Sequence, residues 1–418
     1  MRRLAPASSV RERSRVNVSP VLALAGLVAI GLLATRLPRL EWRRPHTLDS
    51  VCAAGGPLVL AGLILGPGID LLSRPVLRAL APVTALAIGW IGATLGARFE
   101  WRYVRRIPRG VWLLAGMSAA AAFTVVALFA TMLARGVPAL GAAWTPRLPS
   151  VLTLAAVAAA SGPGAVTLVA RAAGIRERAA RSFVLAAALE TAAGALLVTV
   201  PFALHRPRGA TAAAELGWLA WLVFAVGSGA LVGMVFLSVS RPRPARADIG
   251  VVLLGTLVFG AGVGYAADLS PFVVCALATG LIVNASPRRH VVRQILSDWE
   301  HPIYAVFLVV AGALLVLPTA WILAAVVLLA ALRVAAKWGV VRLAQDLLRL
   351  PAYPSSVELA TVAQGGAAVA FALNFFIMYG GQGAVLTTVV LGVALAQVAA
   401  PPLVTVALRP APAPEPPR

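Results

Sequence analysis

The sequence predicts an all-α polytopic membrane protein with about thirteen transmembrane helices. Three observations carry that prediction. Hydrophobic residues make up 60% of the 418-residue chain and charged residues only 12%, with a mean hydropathy of +0.89, far outside the range of soluble domains. Apolar runs of bilayer length follow one another through short connections, so no soluble stretch is long enough to bury a core of its own. Two of these runs are broken at their centres by glycine and proline, which membrane helices tolerate where the freed backbone lines a polar cavity.

Taken in order, the runs are 18–35, 48–68, 77–97, 111–134, 149–170, 182–204, 216–239, 249–267, 271–286, 302–318, 319–344, 356–379 and 384–407. Most are near the roughly 20 residues that cross a bilayer. They form one membrane domain, 18–408, between a basic tail at 1–17 and a proline-rich tail at 409–418 that is expected to be disordered. Loops after odd-numbered runs hold the arginine clusters: Arg36 to Arg44, Arg98 to Arg109, Arg171 to Arg181, Arg241 to Arg246 and Arg288 to Arg293. Loops after even-numbered runs hold few arginines, so the positive-inside rule puts the clustered side and the C-terminus in the cytoplasm of a bacterial inner membrane. The amino-terminal tail conflicts with this, because thirteen spans place Arg2, Arg3, Arg11, Arg13 and Arg15 outside. Either the first run does not span or this tail departs from the rule. A cleaved signal peptide is not indicated, since no A-x-A site follows residue 34 and another arginine cluster does.

The formal charge of +21 does not point to nucleic acid. Its arginines sit between apolar runs, where they orient the chain and meet anionic lipid. Cys52 and Cys275 lie in apolar surroundings without metal-like spacing, so neither a disulfide framework nor a zinc site is indicated and no cofactor is implied. The serines and histidines form no triad spacing, and His205, His290 and His301 fall near helix ends. No covalent chemistry is expected.

The fifth run is interrupted by Ser161, Gly162, Pro163 and Gly164, and the twelfth by Gln364, Gly365 and Gly366. They stand seven helices apart, and an odd offset inserts the two halves in opposite orientations. That is the pattern of an inverted-repeat transporter whose site forms where two broken helices cross. The pairs Gly92 with Gly96, Gly229 with Gly233 and Gly260 with Gly264 read instead as small-residue packing faces.

Two solitary charges mark the same region. Glu190 lies in AAALETAAG within the sixth run, and Lys337, the one lysine among 36 Lys and Arg residues, lies in the eleventh. Ionisable residues at membrane depth are functional hypotheses with a partner to be named, and these two are natural partners. Lysine can lose its proton where arginine cannot, which suggests a proton-coupled transporter. Arg333, four residues before Lys337 on the same helical face, would repel it unless Glu190 sits between them. Thr191, Ser161, Thr167 and the carbonyls freed by the breaks could offer neutral oxygens to a small cation. Asn284 and Asn374 are weaker candidates, since amides in membrane helices mostly bond to neighbouring helices.

At these residues the chain resembles the monovalent cation:proton antiporter superfamily, which includes sodium/proton antiporters and Kef-type potassium efflux carriers. AGLILGPGID at 61–70 is similar to that family's second helix with its Leu-Gly-Pro turn, and IGATLGARFEWRYVRR at 91–106 to its third helix and basic loop. VFLVVAGALLVL at 306–317, RVAAKWGVV at 333–341 and AQGGAAVAF at 363–371 follow in the family's order. The resemblance implies an ion-carrying core beside a bundle that forms a homodimer interface. It places Glu190 and Thr191 where many members carry two adjacent acids, or an amide and an acid, and matches Lys337 to the lysine that pairs with the first of them in electrogenic members. Here the second position is Thr191, Ala367 stands where Kef-type members often have glutamate, and Gly162 stands at a position that is often polar.

The expectation is a carrier exchanging a monovalent cation, Na+ or K+, for protons. Glu190 would bind the proton or cation, Lys337 would neutralise Glu190 in one state, and Thr191 with the break at Ser161 would complete the coordination. Two other readings stand beside it. The same fold could move an organic anion held by Arg333 and Lys337, or serve as a transport-inactive scaffold or sensor.

Overall fold

The computed structural model describes residues 19–34, 55–69, 71–172, 177–205, 217–240, 246–348, 361–380 and 383–407. The basic and proline-rich tails, the start of the second run and residues 356–360 of the twelfth lie outside these described residues. The helices are α1 Pro20–Ala34, α2 Gly56–Leu63, α3 Arg74–Ala79, α4 Ala81–Gly96, α5 Trp101–Val104, α6 Arg109–Gly136, α7 Pro138–Ala143, α8 Arg147–Ala159 and α9 Pro163–Ala172. There follow α10 Glu177–Leu204, α11 Trp218–Val239, α12 Arg246–Ala266, α13 Pro271–Ala285, α14 Arg289–Ala313, α15 Trp321–Leu348, α16 Gly366–Met378 and α17 Gly383–Ala407. Among the described residues, seven helical stretches are long and apolar enough to cross a membrane, and five shorter apolar helices accompany them. The chain is a multi-pass membrane protein.

Several boundaries depart from the apolar runs for local reasons. The run at 77–97 divides into α3 and α4, since Pro82 lacks the N–H that would continue one ladder and instead fits the first turn of the next helix. After α2 the backbone widens into a π-helical turn, Ile64–Gly68 around Pro67, closed by Ile69 N–H donating to Ile64 O at 2.9 Å. Helix α14 starts thirteen residues before the run at 302–318. Its first half is amphipathic, with Val292, Ile295 and Leu296 buried on one face, and mean hydropathy does not register such a segment.

Packing sorts the helices into two groups. One joins α1, α2 and α4 to α11, α12, α13 and α14; the other joins α6, α8, α9 and α10 to α15, α16 and α17. Each group therefore takes one block from the first half of the chain and one from the second, with α11 inserted between the halves. The two breaks, one from each half, fall in the second group. Helices α4 and α16 touch across the groups, bringing the second break against the first group.

Within the first group the glycine faces act as expected. A Cβ on Gly92 would lie 2.1 Å from Phe272 O, and one on Gly96 would lie 2.1 Å from Ala276 O, so α4 and α13 meet backbone to backbone. Gly233 faces Ala278, and Gly264 faces Pro271, in the same manner. Lipid offers no hydrophobic reward for helix association, so close van der Waals packing of this kind holds the bundle. Replacing Gly92 by Val is therefore expected to destabilise the protein by about 1–3 kcal/mol or more, read as a lower melting temperature in detergent. Gly116→Val, at a position with nothing within 4 Å, should melt like the wild type.

Candidate functional site

Helix α8 ends because Ala160 turns extended, at φ −76° and ψ 146°, and α9 begins at Pro163, where a missing N–H breaks no helical bond. The second crossing segment is the non-helical stretch 361–365 that leads into α16, with Gly365 extended at φ −135° and ψ −164°. The two stretches cross in contact. Gly162 N–H donates to Ala363 O at 2.9 Å. A Cβ on Gly162 would come within 2.4 Å of Gly365 N, so any larger residue there would push the crossing apart. Of the glycines flagged in the sequence, Gly162 and Gly365 make this approach, Gly366 is crowded by Tyr304 instead, and Gly164 has nothing within 4 Å of a Cβ.

Helices α10 and α15 carry the two lone charges to the crossing. Glu190 is 2% exposed and Lys337 fully buried, and Lys337 Nζ lies 2.6 Å from Glu190 Oε2. The lysine does not reach back to the membrane surface. Ser161 Oγ lies 2.5 Å from the same carboxylate oxygen and 2.8 Å from Nζ. Ser118 Oγ on α6 donates to Oε1 at 2.6 Å. Each isolated charge here would carry a desolvation penalty of several kcal/mol, which their short separation and the two hydroxyls offset.

Arg333 behaves differently from its neighbour. Rather than sharing Glu190 with Lys337, it directs its guanidinium at backbone: Nε to Ala158 O at 2.8 Å, Nη1 to Val362 O at 2.7 Å, and Nη2 to Ala160 O at 3.0 Å and Thr361 O at 3.4 Å. Nη2 also lies 3.2 Å from Ser161 Oγ. These are carbonyls at the C-terminal end of α8 and in the facing non-helical stretch, orphaned when the helices break. A fixed cation there complements the helix dipole as well as the lone pairs. Repulsion between Arg333 and Lys337 is answered by separate acceptors, the carbonyls for one and the carboxylate for the other.

Ser161 joins these parts. Its hydroxyl has one proton but two acceptors in range, Glu190 Oε2 and Thr361 O at 2.6 Å, while Lys337 and Arg333 approach it as donors. It can donate to one acceptor at a time. Thr191 Oγ1 has a similar choice between a short contact with Ser161 O and Ala187 O at 2.7 Å. Gln364 Nε2 donates to Val157 O at 2.9 Å, and Gln397 Nε2 donates to Gln364 O, tying α8 and α17 to the second break.

A cavity of about 140 Å³ abuts the crossing and is lined by Thr191, Gly162, Gly365, Tyr304, Arg98 and Glu300. A funnel of about 1140 Å³ at the arginine-rich end shares Thr94, Arg98 and Glu300 with it. Arg98, exposed in the loop after α4, feels the charge of Glu300 on α14.

The structure thus gathers Glu190, Lys337, Ser161, Thr191, Arg333 and both breaks at one place. Thr167 instead donates to Pro163 O within its own helix at 2.8 Å. Asn284 holds the loop after α4 through Phe99 O and Trp101 N–H. Buried Asn374 has no hydrogen-bond partner for either amide atom among the described residues. Sequence reasoning missed Ser118, Thr361 and Gln397. Ser118 is a lone hydroxyl in an apolar helix, and its position alone gives no sign that α6 sets it level with Glu190.

No family model and no curated protein sequence matches the chain. Among solved structures it is similar to the sodium proton antiporter MjNhaP1 from Methanocaldococcus jannaschii. The structure of that protein at pH 8 superposes with a TM-score of 0.69 at 13% identity, over 93% of this chain and 97% of that one. An electron-microscopy map of the same antiporter gives a TM-score of 0.63 at 13% identity, over 93% and 96% of the two chains. The chain has the fold of that antiporter.

If the charges stabilise each other, removing one should cost more than removing both. Lys337→Met is expected to lose about 3–5 kcal/mol by stranding Glu190. The double variant with Glu190→Gln should recover part of that loss in thermal unfolding in detergent. Strictly additive losses would show that the pair is not coupled.

Proposed function

We propose that this protein is a secondary transporter that exchanges a monovalent cation, Na+ or K+, for protons across a bacterial inner membrane by alternating access. One observation carries the reading: the ammonium of Lys337 sits among the oxygens of Glu190 and Ser161, 2.6 and 2.8 Å away, where a dehydrated cation would find its ligands. Lysine is then a tethered stand-in for the transported ion. Ion and ammonium cannot both occupy the seat, so binding of one requires withdrawal or deprotonation of the other.

Each side chain has a part in such a cycle. Glu190 holds the proton or the cation, Lys337 neutralises it when the seat is otherwise empty, and Thr191 with Ser161 completes the coordination. Ser118 fixes the far carboxylate oxygen. Arg333 keeps the break in shape as Glu190 changes charge, because a guanidinium keeps its own charge throughout. The small cavity beside Thr191 supplies the path toward the arginine-rich end, which the positive-inside rule makes cytoplasmic, along with the C-terminus. The fold shared with a sodium proton antiporter supports the reading. The resemblance further suggests a homodimer, with anionic lipid meeting the arginine loops.

The anion reading is less well supported. It required Arg333 and Lys337 to be open to substrate, whereas Arg333 is directed at four carbonyls and Lys337 at a carboxylate.

Purified protein in proteoliposomes, followed with a pH-sensitive dye, is expected to move protons when Na+ or K+ is added, with Li+ tested separately. Glu190→Gln should abolish the signal and Lys337→Ala should shift its pH dependence. Wild-type exchange by the glutamine variant would remove Glu190 from the mechanism, and a silent wild type with all three ions would refute the exchange itself.

A further inference from the structure

A cation approaching the crossing from the arginine-rich funnel meets a positive field. Arg98 and Arg106 line the funnel, as does Arg293, whose charge Glu100 answers, and α9 and α16 present their N-terminal ends, with partial positive charge, at the break. Glu190 cannot answer this field at a distance while Lys337 neutralises it. Thr191, where the resembling family often has a second acid, brings no charge. The path needs a carboxylate that the Glu190 site does not provide.

Among the described residues, Glu300 of α14 is the carboxylate that lines both the small cavity and the funnel. Its depth is fixed by Tyr304, one helical turn along the same face, whose ring packs so closely on Gly366 that a Cβ there would lie 2.3 Å from Cε2. Glu300 is thus about 6 Å along the helix axis from the residue touching the second break. Thr94 and Arg98, one turn apart on the end of α4 and the loop after it, line the same two cavities. The neck is therefore lined by a carboxylate and a guanidinium, with Thr94 and Thr191 among the residues of the same small cavity.

We propose that Glu300 is the second acid of the transport path, a cation-capturing residue at the neck that Arg98 neutralises when no cation is present. An arriving cation exchanges with the guanidinium for the carboxylate, and Arg98 turns toward the funnel, whose wall it also forms. The ion is then one step from Thr191 and the Glu190 seat. This rests on the exchange reading above and adds a residue from outside the two broken helices, which neither the sequence pattern nor the crossing geometry singled out.

The test is the cation dependence of exchange in proteoliposomes for wild type, Glu300→Gln, Glu300→Asp and Arg98→Gln. Failure of the wild type to exchange would sink the exchange reading; the present proposal is judged on the variants of an active wild type. The glutamine variant is expected to raise the KM for the cation by about tenfold, equivalent to the loss of about 1.4 kcal/mol of binding. The aspartate variant should recover most of that loss, and Arg98→Gln should lower KM. An unchanged KM in Glu300→Gln overturns the proposal, and so does an equal rise in Glu300→Gln and Arg98→Gln, which would mark a structural ion pair. If the glutamine variant has no measurable turnover, cation-induced thermal stabilisation in detergent reads its affinity directly. Wild-type affinity there would overturn the proposal, and weakened affinity restored in Glu300→Asp would support it.

Discussion

A carboxylate and an ammonium buried together at the crossing of two interrupted helices are the constraint on which the rest of the structure depends. Neither Glu190 nor Lys337 could be placed there alone, since an unpaired charge at that depth costs several kcal/mol. Together they form a neutral unit held by two hydroxyls. A change of protonation on either side would strand its partner. The crossing exists to bring them together. Its glycines let two extended backbones touch, and its freed carbonyls give the surrounding polar groups something to bind.

The two basic residues of α15 show how the same charge serves different ends. Arg333 is planar, many-armed and permanently charged, and its donors are directed at carbonyls on both sides of the break. It behaves as a covalently attached helix cap. Lys337 is a compact point charge that can lose its proton, and it faces the carboxylate. A chain that otherwise uses arginine throughout places its one lysine against the buried carboxylate.

Much of this was legible in the sequence because membrane proteins expose their exceptions. Glu190, Lys337, Gly162, Pro163 and Gly365 stand out against an apolar background, and the two breaks that the sequence marks do meet in the fold. The early start of α14 was not legible, since an amphipathic helix with Val292, Ile295 and Leu296 inward looks like a charged loop to a hydropathy count. Ser118 and Gln397 were hidden for another reason. Their roles come from the depth at which distant helices align, and local pattern carries no information about that. The acceptors of Arg333 were hidden for the same reason: the sequence shows side chains but not which carbonyls a broken helix leaves open.

The account makes cation and proton rivals for one buried seat, and proton release on cation binding tests this most directly. Purified protein in weakly buffered detergent solution is titrated with Na+ or K+ while the pH is followed. The account predicts that protons are released in proportion to the cation bound, and that Glu190→Gln abolishes the release. Cation binding that releases no protons, or release that persists unchanged in the Glu190→Gln variant, would contradict it.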